Sequence, residues 1–114
     1  MTQYVFVVYT NAVAGQDDAY NDWYDNQHLG DVTRIPGYIA AQRFEFVPIE
    51  GTTQSTHRYL ALYTVETDDL AATHEALMAA AGSPALPLSD ALDRNGAVMS
   101  YFRALGQPQK AKGR

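Results

Sequence analysis

A phenol, an imidazole and a carboxylate fall at helical spacing in the stretch Tyr24-Asp25-Asn26-Gln27-His28-Leu29-Gly30-Asp31. Side chains three and four residues apart are neighbours on a helix surface, so Tyr24 and Asp31 gather around His28 at one helix end. In that setting the carboxylate can hold one ring nitrogen while the other acts as general base or acid. The phenol can steady a developing oxyanion. The same spacing also suits a plainer role, a terminal histidine that satisfies the last helix carbonyls and the helix dipole. His57, beside Arg58 after a polar loop, reads as an exposed strand-end residue. His74 reads as a hydrogen-bonded histidine on the inner stripe of a helix.

The three histidines are dispersed, with no pair at metal-ligand spacing, and none stands in a setting that marks a haem ligand. The absence of cysteine excludes disulfide scaffolds, thiolate metal sites and cysteine nucleophiles. No glycine-rich phosphate loop and no serine nucleophile elbow occurs. The expectation is chemistry without metal or cofactor.

Tyrosine is the stronger compositional signal, with eight against one tryptophan and four phenylalanines. Tyr9, Tyr59, Tyr63 and Tyr101 belong to three strands and, with Trp23, are expected to line a cavity for a flat aromatic or polyketide-like ligand. Packing in the core or in a subunit interface is the other role open to them. Arg43 and Arg58 suit cross-strand ion pairs with Glu45 or Glu66, and an acid on a ligand is the other partner open to them.

These residues need elements to hold them. Tyr4 to Tyr9 is β-branched and aromatic and reads as the first strand, apolar on both faces. From Gln16 a helix is expected, with Asp17 and Asp18 in its first turn and Ala19, Tyr20, Trp23, Tyr24 and Gln27 on its apolar stripe. Gly30 is its expected stop, and Pro36-Gly37 marks a turn. Tyr38 to Val47 and His57 to Val65 read as strands joined by the polar loop Pro48 to Ser55. Thr67 is the expected cap of a second helix with an inner stripe of Leu70, His74, Leu77, Met78 and Ala81, ended by Gly82. Residues 83–95 read as an irregular insert with one short helical turn at Asp90 to Leu92. Ala97 to Ala104 is the last strand.

The order β-α-β-β-α-β predicts an α+β, ferredoxin-like fold, a four-stranded antiparallel sheet with two helices on one face. The other sheet face would then stay apolar and bare, which predicts a homodimer with the open faces packed together.

One hundred and fourteen residues make one domain, expected at residues 1–104, followed by a flexible basic tail at 105–114. The net charge of −5 divides unevenly, because Lys110, Lys112 and Arg114 all lie in that tail. Residues 1–104 carry 13 acids against five arginines, a net of −8, which disfavours nucleic acid and anionic membranes as partners. No apolar run is long enough to span a bilayer and the first residues lack a secretory signal, which favours a cytoplasmic location.

The string Trp23-Tyr24-Asp25-Asn26-Gln27-His28, with Pro36-Gly37-Tyr38 and Gln42-Arg43-Phe44, resembles the EthD-like branch of the dimeric α+β barrel superfamily. Tyr9-Thr10-Asn11 and Arg58-Tyr59-Leu60-Ala61-Leu62-Tyr63 resemble it too, and the likeness covers most of residues 3–104. Such proteins commonly carry proline where this chain has Gly30. The resemblance implies a dimer with a cavity in each subunit near the end of the first helix, and places the histidine matching His28 at that cavity. Relatives with this fold range from polyketide cyclases and small monooxygenases to haem proteins, so the fold does not choose a reaction. The leading expectation is a cofactor-independent cyclase, isomerase or lyase acting on an aromatic or polyketide-like molecule. Its catalytic residues would be His28, Tyr24 and Asp31. The alternatives are a cofactor-free monooxygenase of aromatic phenols, or a ligand-binding, stress-associated dimer without turnover.

Overall fold

The computed structural model describes residues 1–113. Its elements are β1 (Thr2–Thr10), α1 (Asp17–Trp23), a π-helical turn (Tyr24–His28), α2 (Leu29–Thr33), β2 (Tyr38–Glu45), β3 (Tyr59–Thr67), α3 (Leu70–Ala80) and β4 (Val98–Arg103). The strands form one antiparallel sheet in the order β2-β3-β1-β4. Counting the run from Asp17 to Thr33 as one helical arm, this is the ferredoxin-like arrangement.

Strand alternation sorts the side chains between two faces. Phe6 and Val8 of β1, and Tyr59, Ala61, Tyr63 and Val65 of β3, are buried against Tyr20, Tyr24, Val32 and Leu77 of the helices. The intervening residues point the other way, leaving Phe44, Val98 and Phe102 about half exposed on the open face, with Leu60 and Leu62 between them. One irregularity matters at the start of β2. Tyr38 pairs with Val65 and Ala40 with Thr64, so Ile39 is an extra residue, a β-bulge. It lets Tyr38 and Ala41 face the helices together, although strict alternation would part them.

The helical arm departs most from expectation. It runs through Gly30 to Thr33 rather than stopping at the glycine, and Gly30 has an ordinary negative φ. Between α1 and α2 the backbone takes one wider turn, adding a residue to the register. Gln27, expected on the inner stripe, is consequently exposed, and His28 turns inward in its place. Ala19 is exposed as well.

The cap of α3 is Asp69 rather than Thr67, its carboxylate accepting from the Ala72 amide at 3.1 Å. The Thr67 hydroxyl accepts from the Asp69 amide just before it, at 3.1 Å. Gly37 takes a positive φ of 99°, and a Cβ there would meet Thr73 Cγ2 at 2.9 Å. Only glycine allows the chain to pass α3 into β2.

Residues 81–97 are irregular, and the short turn expected at Asp90 to Leu92 is present as a single i to i+3 bond from Leu92 N to Ser89 O at 3.2 Å. They are held by backbone bonds from Val13 N to Ala91 O at 2.7 Å and from Asp93 N to Asn11 O at 3.0 Å. Residues 104–113 are exposed beyond β4, and Arg114 of the expected basic tail lies outside the described residues. Among the described residues no helix is long and apolar enough to cross a membrane.

Candidate functional site

A cavity of about 220 Å³ lies between the helix face of the sheet, the helical arm, α3 and the irregular segment. Its walls are almost wholly apolar. Phe6, Val8 and Tyr63 form the sheet side, and Trp23, Tyr24 and His28 come from the arm. Leu77 and Met78 of α3, with Leu86, Leu88 and Leu92 of the irregular segment, complete it. The Trp23 indole N–H donates to Pro87 O at 3.2 Å, tying that segment to the arm.

His28 is held by its neighbours' rings. It lies against Trp23 with centroids 4.5 Å apart and meets Tyr24 edge-on at 4.8 Å. Burial holds its imidazole down to about 4, against the opposing pull of the Asp31 carboxylate, so it is neutral at physiological pH. Its Nδ1 is buried without a hydrogen-bond partner, and so is Asp31 Oδ2. The other Asp31 oxygen accepts from Arg34 at 2.7 Å.

The phenols are shifted the opposite way. The hydroxyls of Tyr24 and Tyr63 share a hydrogen bond of 3.0 Å inside the core. Burial pushes Tyr24 up to about 12, and pushes Tyr63 well above the ordinary phenol range. Both therefore stay protonated, and a hydroxyl pair uses only one of its two protons internally. The second O–H remains a donor beside a neutral imidazole.

The remaining expected ligand tyrosines do not share this cavity. Tyr9 points from the open face of the sheet and is 38% exposed, because it alternates with Val8 and Thr10, which face the helices. Tyr59 lies near the far end of the sheet, donating to Asp17 Oδ2 at 2.6 Å and accepting from Asn21 at 3.3 Å. Tyr101 lines a separate open cavity with Phe6, Leu70, Ala71, His74 and Met99. There its hydroxyl bonds to the Tyr38 hydroxyl at 2.6 Å and to His74 Nδ1 at 2.9 Å.

His57 is half-buried rather than exposed. Its Nε2–H donates to Gly96 O at 2.6 Å and its Nδ1 accepts from the Thr56 hydroxyl at 2.9 Å, joining the hairpin to the start of β4. Arg58 pairs with Glu45 at 2.8 Å as well as with Asp17 at 3.2 Å. Arg43 reaches the arm instead of a strand acid. It donates to Asp25 at 2.8 Å and Asn21 at 2.7 Å, with its guanidinium 4.6 Å from the Tyr24 ring centre. This clamp backs the ring against which His28 rests.

The leucines of the irregular segment and Arg94, the single cation on the cavity wall, were not marked by any periodic pattern. Their one sequence signal is the repeated leucine in Leu86-Pro87-Leu88 followed by Leu92.

No protein-family model matches this chain, and no curated protein matches it. Solved structures do share its fold. A candidate monooxygenase from Shewanella loihica PV-4 superposes with a TM-score of 0.60 at 14% identity, over 93% of this chain and 97% of that one. The heme-degrader MhuD from Mycobacterium tuberculosis, solved with two hemes bound in its active site, gives 0.56 at 20% identity, over 93% and 99%. An ethyl tert-butyl ether d (EthD) family protein from Bacillus halodurans gives 0.49 at 16% identity, over 92% and 100%. These are likenesses of fold alone, the ferredoxin-like arrangement of a four-stranded antiparallel sheet with helices on one face.

Proposed function

We propose that this chain is a monooxygenase-type enzyme that oxidises an apolar aromatic phenol using the substrate's own electrons. The observation that carries the reading is a neutral, buried imidazole at the wall of an apolar cavity beside two protonated phenols. Opposite shifts in adjacent groups divide the roles of base and proton donor. His28 takes a proton from a methylene set between two aromatic rings that a carbonyl joins on the opposite side, with Asp31 stabilising the imidazolium that results. The free O–H of the Tyr24–Tyr63 pair donates to the substrate oxygen on which charge develops. The carbanion then reacts with O₂. One oxygen atom becomes the new carbonyl, the other leaves as water with the two methylene hydrogens, and no outside reductant is required.

The fold shared with a candidate monooxygenase favours oxygen chemistry over simple cyclisation or isomerisation, which would begin with the same proton abstraction. The residues present do not match a heme: Arg94 is the one cation on the cavity wall, against the two carboxylates a porphyrin carries. The chain also acts as a homodimer in this reading, because the open sheet face leaves Phe44, Val98 and Phe102 uncovered.

The test is oxygen uptake on 1,8-dihydroxyanthrone with ¹⁸O₂, reading one labelled oxygen in the quinone product. His28→Gln is expected to lower kcat by about 100-fold or more while leaving substrate binding nearly unchanged. Wild-type turnover by that variant overturns the base. Product formation without oxygen uptake returns the chain to isomerase or cyclase chemistry, and tight binding without any product to a non-catalytic role.

A further inference from the structure

The cavity beside His28 differs in charge from the domain that encloses it. Residues 1–104 carry 13 acids against five arginines. None of those acids stands on the cavity wall, where Arg94 is the one charged side chain and His28 is neutral. The hollow is therefore locally positive inside a domain of net charge −8. Arg94 is also exposed, as are Met78 and Met99 on the same wall, so these three side chains mark its mouth. Tyr24, Tyr63 and Leu86 are buried and form its inner end.

Among the described residues Arg94 has no acid partner, whereas Arg34, Arg43 and Arg58 each reach a carboxylate within 3.2 Å. The acid beside Arg94 in the chain, Asp93, instead accepts from the Gly96 amide at 3.3 Å. The turn that carries the arginine is pinned from several sides. Asp93 N donates to Asn11 O at 3.0 Å, Ala97 N to Arg94 O at 3.4 Å, and His57 Nε2 to Gly96 O at 2.6 Å. Fixing such a turn costs conformational entropy, and the guanidinium it presents at the mouth is left for a group from outside the chain.

We propose that Arg94 binds one carboxylate of the ligand at the mouth of this cavity, so that the substrate is an aromatic acid whose apolar body lies inward against Tyr24 and Tyr63. This rests on the reading that the cavity takes an aromatic phenol, and adds to it one ionised substituent remote from the reacting carbon. A carboxylate is ionised at neutral pH and matches the guanidinium fork with two parallel hydrogen bonds. At the mouth the pair keeps part of its hydration, so the acid is held without the full cost of burying a charge. A second carboxylate deeper in would meet no cation, which limits the enclosed part of the ligand to apolar and phenolic groups. Arg94 selects and orients the ligand and touches no reacting atom.

The probes are 6-hydroxy-2-naphthoate and its neutral carboxamide, which carry the phenol and the acid or amide at opposite ends of the same two rings. Titration calorimetry at neutral pH and low salt gives the dissociation constant of each on wild type, Arg94→Gln, Arg94→Lys and Arg103→Gln. Arg103, exposed at the end of β4 and absent from the cavity wall, controls for the change in net charge. Wild type is expected to bind the naphthoate about 10-fold or more tighter than the carboxamide. Arg94→Gln should bring the two within about 2-fold by weakening the naphthoate alone, and Arg94→Lys should keep part of the preference. Arg103→Gln should keep all of it. No preference in wild type, an equal loss of both probes in Arg94→Gln, or the same loss of preference in Arg103→Gln overturns the carboxylate site while the aromatic reading stands. Binding of neither probe to wild type overturns both.

Discussion

His28 and Asp31 stand one helical turn apart, and each leaves a buried polar atom without a partner, Nδ1 on the ring and Oδ2 on the carboxylate. A donor tautomer at Nδ1 complements that oxygen, so a small inward shift or one bridging water would pair them. Until then burial decides the charge of the ring, and its consequence is a pH dependence of fixed sign. In the unfolded chain His28 titrates near 6.5, whereas the folded chain refuses the proton until about 4. Stability is therefore whole above the unfolded value and falls as pH drops from about 6.5 to 4. The loss approaches roughly 3 kcal/mol at the acid end. Urea midpoints across that range in wild type and His28→Gln check it, because the variant should lack the slope. Asp31→Asn removes the one charge that favours the imidazolium and should move the ring's NMR titration lower still.

Tyr24→Phe leaves the Tyr63 hydroxyl buried without its partner and is expected to cost about 1–3 kcal/mol. Tyr63→Phe is expected to cost a similar amount from the other side. The double variant, with neither hydroxyl, should be more stable than the sum of the single losses requires. A double-mutant cycle by chemical denaturation measures that coupling.

Arg43→Ala removes two hydrogen bonds and the cation over the Tyr24 ring from a side chain that is 12% exposed. A loss of about 2 kcal/mol is expected, read from the thermal or urea midpoint. Arg43→Lys keeps the charge but loses the fork that joins Asp25 to Asn21, and should recover only part of the loss. Arg58→Ala, whose guanidinium lies in solvent, should leave the midpoint unmoved.

Leu62→Lys places a charge on the open sheet face without touching the cavity on the other side. If that face joins two copies, sedimentation should show a dimer in wild type and a monomer in the variant. The near-ultraviolet signal of Trp23 should be retained. An unchanged mass would remove the face as an interface.

The regular parts of this structure were legible in the residues. The polar loop from Pro48 gave the hairpin, and β-α-β-β-α-β order gave the sheet. What period counting could not supply are two single-residue insertions. The bulge at Ile39 swings Tyr38 toward Tyr101, and the wide turn after Trp23 exchanges Gln27 for His28. Periodicity assumes a constant twist, and each insertion resets it only in three dimensions. The tyrosines scattered for a related reason: their residue type suited a cavity, but their strand parity assigned Tyr9 to the opposite face. Leu86, Leu88 and Leu92 belong to a segment with no period, so only the chain's return path showed what they cover.

The wide turn from Tyr24 to His28 makes the pitch of one helical turn decide which functional group the arm offers the cavity. Ordinary α-helical pitch through the same residues would turn the Gln27 amide inward; the wider turn carries that amide to solvent and seats the His28 ring against Trp23 and Tyr24.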